Sequence, residues 1–273
     1  MELTLASAVC EKDYDIVLNT SYGKKLFKSA PEIKERLRII NNVKNRDIVQ
    51  KLLNNSNLID NYIFAEDKIS EVMNFWFGKE FKKKYLNRRN TLKKILIQLL
   101  RKRKIHLIYN GLWYSTGPLT AIFYCNTDYL LYFTGDAYLS ENENLEWISK
   151  SIELMEKSSK YIAANPIWNN CELDAKVESE FEESDFYVSS GFSDQCFLIN
   201  ARKIKETLGG KLFQEYNKVS ESLYPVYGGR CFEAVFNAYM RNHGFKRLTY
   251  KYSHYIHEDF SECVRERYIK EVN

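Results

Sequence analysis

The strongest constraint on the fold is a short run with no polar interruption, Tyr129-Leu130-Leu131-Tyr132-Phe133. It is too short to stand as a helix and rich in aromatics, which predicts a strand. Because the run does not alternate with polar residues, both faces of that strand must be covered, as in an α/β sheet with helices on each side. Ligands of such open sheets bind beyond the carboxyl ends of the strands, and Thr134-Gly135-Asp136 occupies that end. Gly135 is expected to let the chain turn sharply, so that Asp136 projects a carboxylate from a rigid strand into the crevice. A hard divalent cation bridging phosphates requires that placement, and a plain turn aspartate shares the same local sequence.

The rest of the chain supplies the alternation such a sheet needs. Leu3 to Cys10 reads as a first strand, Leu37 to Ile40 as a second ending at Asn41-Asn42, and Ile59 to Phe64 as a third closed by Glu66-Asp67. Ile48, Leu52 and Leu53 give Asp47 to Leu53 helical spacing. Together these make two βαβ units of a parallel, right-handed sheet. Ile105 to Tyr109 is predicted as a strand, residues 111–117 as a loop, and Leu119 to Cys125 as a short helix opened by Pro118. Asn142 to Lys157 reads as a helix; Tyr161 to Ala164 and Leu248 to Tyr252 read as strands. The acidic stretch Cys171 to Asp185 lacks a strong apolar period and is expected to be a mobile loop. Phe186 to Ile199 places a polar break, with Asp194 and Gln195 beside it, between two apolar runs. The fold class is α/β, a mixed and mainly parallel sheet flanked by helices.

The 273 residues suffice for one large α/β domain, and no Pro/Gly/Ser-rich linker divides them. An apolar content of 45% with well-mixed charge excludes disordered and fibrous classes. The six cysteines form no Cys-x-x-Cys pair, so neither a zinc site nor a disulfide framework is indicated, and a reducing cytoplasm fits. No run is long and apolar enough for a membrane span. One segment stands apart: Lys79 to Lys104 carries twelve Lys or Arg against the single acid Glu80. Leu92, Ile95, Leu96, Leu99 and Leu100 recur at helical spacing within it, so its second half reads as an amphipathic helix with a basic back. Such a helix is either a solvated face or a peripheral contact with an anionic membrane surface. Nucleic-acid binding is not expected, because no recognition motif accompanies the charge.

The apolar strand, the Asp-containing turn and the apolar pair after it resemble the Asp-x-Asp region of nucleotide-sugar-dependent glycosyltransferases of the GT-A fold. Thr134 stands where that family has its first acid; Asp136 matches the position that meets the metal. A second stretch, Tyr227 to Lys246, has Gly228-Gly229, an acid, a helix and a Gly-aromatic-basic ending. It is similar to the acceptor loop and Glu-Asp helix of the inverting, family-2-like members, with Phe232 in place of the preceding acid. The resemblance implies a transferase acting on a nucleotide-diphosphate sugar, most simply a UDP-sugar, with a glycan or lipid-linked acceptor. It implies one domain over 1–273, with 1–140 as the nucleotide-sugar half and 141–273 as the acceptor half. Ala8, Val9, Asn42, Thr134 and Asp136 would border the donor, and Asp136 with His257 would hold Mn²⁺ or Mg²⁺. Glu233 would be the general base, with Asp194 as the other residue on the reactive face. A carboxylate at a helix start is also what the helix dipole favours. Thr134 and Phe232 are also what a non-catalytic sugar-nucleotide- or glycan-binding protein of the same fold would carry after losing an acid, and a membrane-surface adaptor would be recruited through the basic helix.

Overall fold

The computed structural model describes residues 2–19, 22, 33–56, 58–78, 108–139, 143, 145–212, 214–215 and 231–258. Among the described residues ten strands form one sheet. They are β1 (Leu3–Cys10), β2 (Ile33–Asn41), β3 (Asn61–Phe64), β4 (Tyr129–Phe133), β5 (Ala137–Leu139), β6 (Tyr161–Trp168), β7 (Phe181–Glu183), β8 (Phe186–Ser189), β9 (Cys196–Asn200) and β10 (Lys246–His257). Their order is β3-β2-β1-β4-β9-β6-β10-β8-β7, with β5 paired to β10. The first four strands run parallel to one another, as do β6 and β10. The pairings made by β5, β7, β8 and β9 are antiparallel. β10, the last strand described, therefore lies inside the sheet, between β6 and β8.

The helices are α1 (Tyr14–Asn19), α2 (Arg46–Asn54), α3 (Ala65–Phe77), α4 (Ile108–Tyr124), α5 (Glu146–Lys157), α6 (Glu172–Glu178), α7 (Ala201–Leu208) and α8 (Phe232–Asn242). Successive side chains of a strand point to opposite faces, and this divides the core in two. Leu130 and Tyr132 of β4 join Ala6, Leu37 and Ile39 in a core covered by α3, α4, α7 and α8. Tyr129, Leu131 and Phe133 join Leu3, Leu5, Val9 and Ile40 under α1, α2 and α5. Each fully buried Leu or Phe contributes roughly 2 kcal/mol, so the unbroken apolar run of β4 is stabilised from both sides.

Several expectations change. Glu66-Asp67 does not end at a turn; both acids sit in the first turn of α3, where the helix dipole stabilises them. The described part of the predicted strand 105–109 and the predicted loop 111–117 belong to α4, with Pro118 inside it. Packing overrides the poor helix propensity of glycine and proline here. A side chain at Gly117 would come within 2.9 Å of the Tyr132 hydroxyl and 3.0 Å of the Ala8 Cβ, so glycine lets α4 lie close against β1 and β4. The acidic stretch 171–185 is not a loop but α6 and β7. Its acids Glu178, Glu180, Glu182 and Glu183 are paired with Arg247, Lys246, Lys251 and Lys160. The final strand extends through His257 instead of stopping at Tyr252. Residues 79–107, Gly228-Gly229 and the tail beyond Glu258 lie outside the described residues. Among the described residues no helix is long and apolar enough to cross a membrane.

Candidate active site

Parallel pairing of β1 with β2 and β4 brings their carboxyl ends to one edge, with Ser7 opposite both Arg38 and Phe133. The turn after β1 is held by Asp13, whose carboxylate accepts from the Cys10 amide at 2.5 Å and from the Cys10 thiol at 3.5 Å. The turn after β4 presses against it. A Cβ at Gly135 would stand 2.7 Å from the Ala8 carbonyl oxygen and 2.8 Å from Asp13 Oδ2. Gly135 is thus needed for space; the left-handed glycines among the described residues are Gly78, Gly210 and Gly244.

From that turn β5 runs antiparallel to β10, pairing Ala137 with His257. Asp136 Oδ2 is brought within 3.2 Å of His257 Nε2, and the Glu258 amide donates to the Asp136 carbonyl at 2.8 Å. Burial pushes the Asp136 carboxyl up, but the hydrogen bond and positive charge of His257, with a bond from Thr134, outweigh it and hold the group below its ordinary range. His254, the other histidine near this end, pairs with Glu143 at 3.7 Å. Thr134 also donates its amide to the Gln195 carbonyl at 2.9 Å, which ties the β4 turn to the segment carrying Asp194.

Three more carboxylates share this field. Burial and the charge of Asp136 push Asp194 up to about 6 against the pull of His257. Burial, then Asp194 and Glu178, push Glu233 up to about 7, opposed by Arg247. Burial and Asp136 likewise push Asp13 up to about 7, against its Cys10 amide bond and Arg38. Asp13, Asp136, Asp194 and Glu233 form a series in which each feels the next, and neighbouring like charges favour protons or a cation between them.

Of the predicted donor residues, Val9 turns its side chain into the core, and Ala8 presents its carbonyl toward Gly135. Asn42 is exposed at the end of β2 in a left-handed conformation, φ 57°, and its amide bonds to Glu66 rather than to the Asp136 group. Glu233 stands in the first turn of α8 and lines a cavity of about 810 Å³ with Trp168, Ser189, Gly191, Arg241 and Arg247. Glu233, Asn237 and Arg241 are four residues apart, one stripe of α8 facing that cavity.

Asp13, Arg247 and Ser189 escape sequence reasoning. Asp13 has one faint signal, an acid three residues past a predicted strand. The other two are set by strand register alone.

Asp136 and His257 place a carboxylate oxygen and an imidazole nitrogen 3.2 Å apart. Among the described residues no three His, Cys, Asp or Glu side chains are grouped to hold a metal. The pair fits a hard cation of the kind that takes one or two protein ligands and completes its shell with water and substrate phosphates.

No family model and no curated protein matches the chain. Solved structures do. The chain is similar to GalNAc-T7, determined with UDP, GalNAc and Mn²⁺, at 11% identity and a TM-score of 0.51; the match covers 94% of this chain and 44% of that one. It is also similar to an active-site mutant of LgtC, at 10% identity and a TM-score of 0.44 over 88% of this chain and 70% of that one. The apo form of mouse xyloside xylosyltransferase 1 matches at 11% identity and a TM-score of 0.40, over 90% and 84%. Strand order, the two helical layers and the likeness to GalNAc-T7 together show the fold: a mixed α/β sheet flanked by helices, of the GT-A type.

Proposed function

We propose that the protein is a glycosyltransferase that moves a sugar from a nucleotide-diphosphate donor, a UDP-sugar in the simplest case, to a hydroxyl of a glycan or lipid-linked acceptor with inversion. The observation that carries this reading is the Asp136–His257 pair at the carboxyl edge of β4, adjoining a series of half-buried carboxylates that ends at Glu233 on a cavity wall. The likeness to a protein solved with UDP, GalNAc and Mn²⁺ supports it. Residues 1–140 form the donor half and 141–273 the acceptor half of a single domain.

Transfer needs charge stabilisation on the departing diphosphate and removal of the acceptor proton. Asp136 and His257 would hold Mn²⁺ or Mg²⁺, which when bound supplies Lewis-acid stabilisation of the leaving group. Thr134 and the backbone of Ala8 and Val9 border the donor, with Asn42 at the outer end of β2. Glu233 takes the acceptor proton, and a carboxylate raised to about 7 is matched to that task near neutrality. Asp194 keeps it raised and is the second residue able to act as base. The basic stretch 79–104 supports peripheral attachment at the cytoplasmic face of an anionic membrane; a nucleic-acid partner is not part of this reading.

The test is release of nucleoside diphosphate from a panel of nucleotide sugars, with Mn²⁺ present or withheld, followed by product anomer analysis. Metal-dependent release with inverted product supports the reading. Failure of every donor either to turn over or to raise the melting temperature rejects it.

A further inference from the structure

The cavity on the acceptor side has a floor with a specific chemistry. Arg247 is 4% exposed. Its Nε donates to Thr249 at 3.2 Å and its Nη2 to Glu178 at 3.1 Å, and the guanidinium lies 5.8 Å from the centre of the Trp168 ring. The third nitrogen, Nη1, faces the space where Gly191 lacks a side chain, 3.7 Å from the point a Cβ would occupy. Ser189 Oγ lies 4.0 Å from the same point. That hydroxyl is buried with no hydrogen-bond partner among the described residues, an arrangement that native structures rarely leave without a use.

Charge decides the kind of ligand. Among the described residues three carboxylates line the cavity, Glu178, Glu180 and Glu233, against two guanidinium groups, Arg241 and Arg247. Glu178 is already paired with Arg247, and Glu180 with Lys246 at 2.5 Å. An added anion above Gly191 would find Arg247 already engaged by Glu178 and carboxylates on the walls; Arg241, the other guanidinium, is exposed. An uncharged, oxygen-rich ligand meets neither penalty and has donors, acceptors and the face of Trp168 to use.

We propose that this cavity is the acceptor subsite and takes an uncharged sugar ring, with one ring oxygen substituent seated above Gly191 on Arg247 Nη1 and within reach of the Ser189 hydroxyl. The proposal rests on the glycosyltransferase reading and adds to it the class of acceptor and the residues that select it.

The experiment titrates the donor-free protein with neutral methyl hexopyranosides and with the matching methyl hexopyranosiduronates, whose C6 carboxylate is free, following tryptophan fluorescence with Trp168→Phe as the blank. At least one neutral glycoside should saturate, and its uronate should bind about tenfold more weakly or not at all, the scale of one charge-supported hydrogen bond. Gly191→Ala meets nothing closer than 3.7 Å among the described residues of the free protein, so it should keep the wild-type melting temperature yet lose binding by about tenfold or more, because the new methyl fills the seat above Nη1. Ser189→Ala removes an unpartnered buried hydroxyl, so its melting temperature should hold or rise while binding weakens. Equal or tighter binding of the uronates, wild-type binding in both variants, or no binding by any neutral glycoside overturns the proposal. Nucleotide-sugar hydrolysis without acceptor is measured alongside. A protein that hydrolyses donor but binds no neutral glycoside sinks the cavity assignment alone, and one that binds the glycoside but turns over no donor sinks the transferase reading alone.

Discussion

Asp136 Oδ2 stands 3.2 Å from His257 Nε2, and the backbone behind them is joined as well by the Glu258 amide on the Asp136 carbonyl, 2.8 Å. One residue closes the turn after a central parallel strand and the other ends the last strand, so the geometry depends on the pairing of β5 with β10.

If this pair grips a cation beneath a diphosphate, UDP with Mn²⁺ should raise the melting temperature of the wild-type protein, since a ligand that binds only the folded state stabilises it by mass action. Asp136→Asn and His257→Ala should each remove the Mn²⁺-dependent part of the shift. Differential scanning fluorimetry with UDP alone, Mn²⁺ alone and both checks it. An unchanged metal-dependent shift in both variants would show that the pair is only structural.

Glu233→Gln keeps size and hydrogen-bonding capacity but cannot accept a proton. Turnover should fall by at least about 10² while donor affinity stays within a fewfold. In the wild type, kcat/KM should fall as pH drops below about 7, because the base is then protonated. A dead Asp194→Asn beside an active Glu233→Gln would move the base to Asp194.

Gly135→Ala should destabilise the fold by about 1–3 kcal/mol, the usual penalty for forcing a methyl into a filled space. The atoms in the way are a backbone oxygen at 2.7 Å and the Asp13 carboxylate at 2.8 Å, and the first cannot swing aside. Urea denaturation measures it; a midpoint within error of wild type would mean that the two turns do not press together.

Asp13 gives a prediction about pH and stability. Its folded-state pKa is raised to about 7, so the folded state holds this proton more tightly than the unfolded chain. The resulting stabilisation is fully present below the unfolded carboxylate pKa and is lost as pH rises through about 7. Asn can still accept from the Cys10 amide without bringing a charge. The melting temperature of Asp13→Asn minus that of wild type should therefore be more positive at alkaline than at acid pH. A difference that does not vary with pH would place the Asp13 charge in solvent.

The central strand and Asp136 are legible in the sequence because a strand buried on both faces must be apolar at every position, and its end is marked by a glycine next to an acid. Glu233 is legible for a similar reason, since a carboxylate opening an apolar-periodic helix carries its own local signal. The extent of α3 and α4 is not, because Glu66-Asp67 reads equally well as a turn or a helix start, and Gly117-Pro118 as a break. Only contact with Tyr132 and Ala8 decides the second case. α6 and β7 are hidden for a different reason: their acids are neutralised by β10 and Lys160, partners remote in sequence. Asp13 and Arg247 acquire their environments from register, which no single stretch of sequence records.

The position of β10 inside the sheet has a consequence for how the molecule is made. Among the described residues the β7–β8 hairpin pairs with the rest of the sheet through β10, so until that strand emerges from the ribosome the hairpin has no sheet strand to pair with and one edge of β6 stays open. Pairings between segments so distant along the chain form slowly. The same strand delivers His257 to Asp136, so assembly of the sheet and of the Asp136–His257 pair become a single event, and a chain that stops short of β10 carries neither.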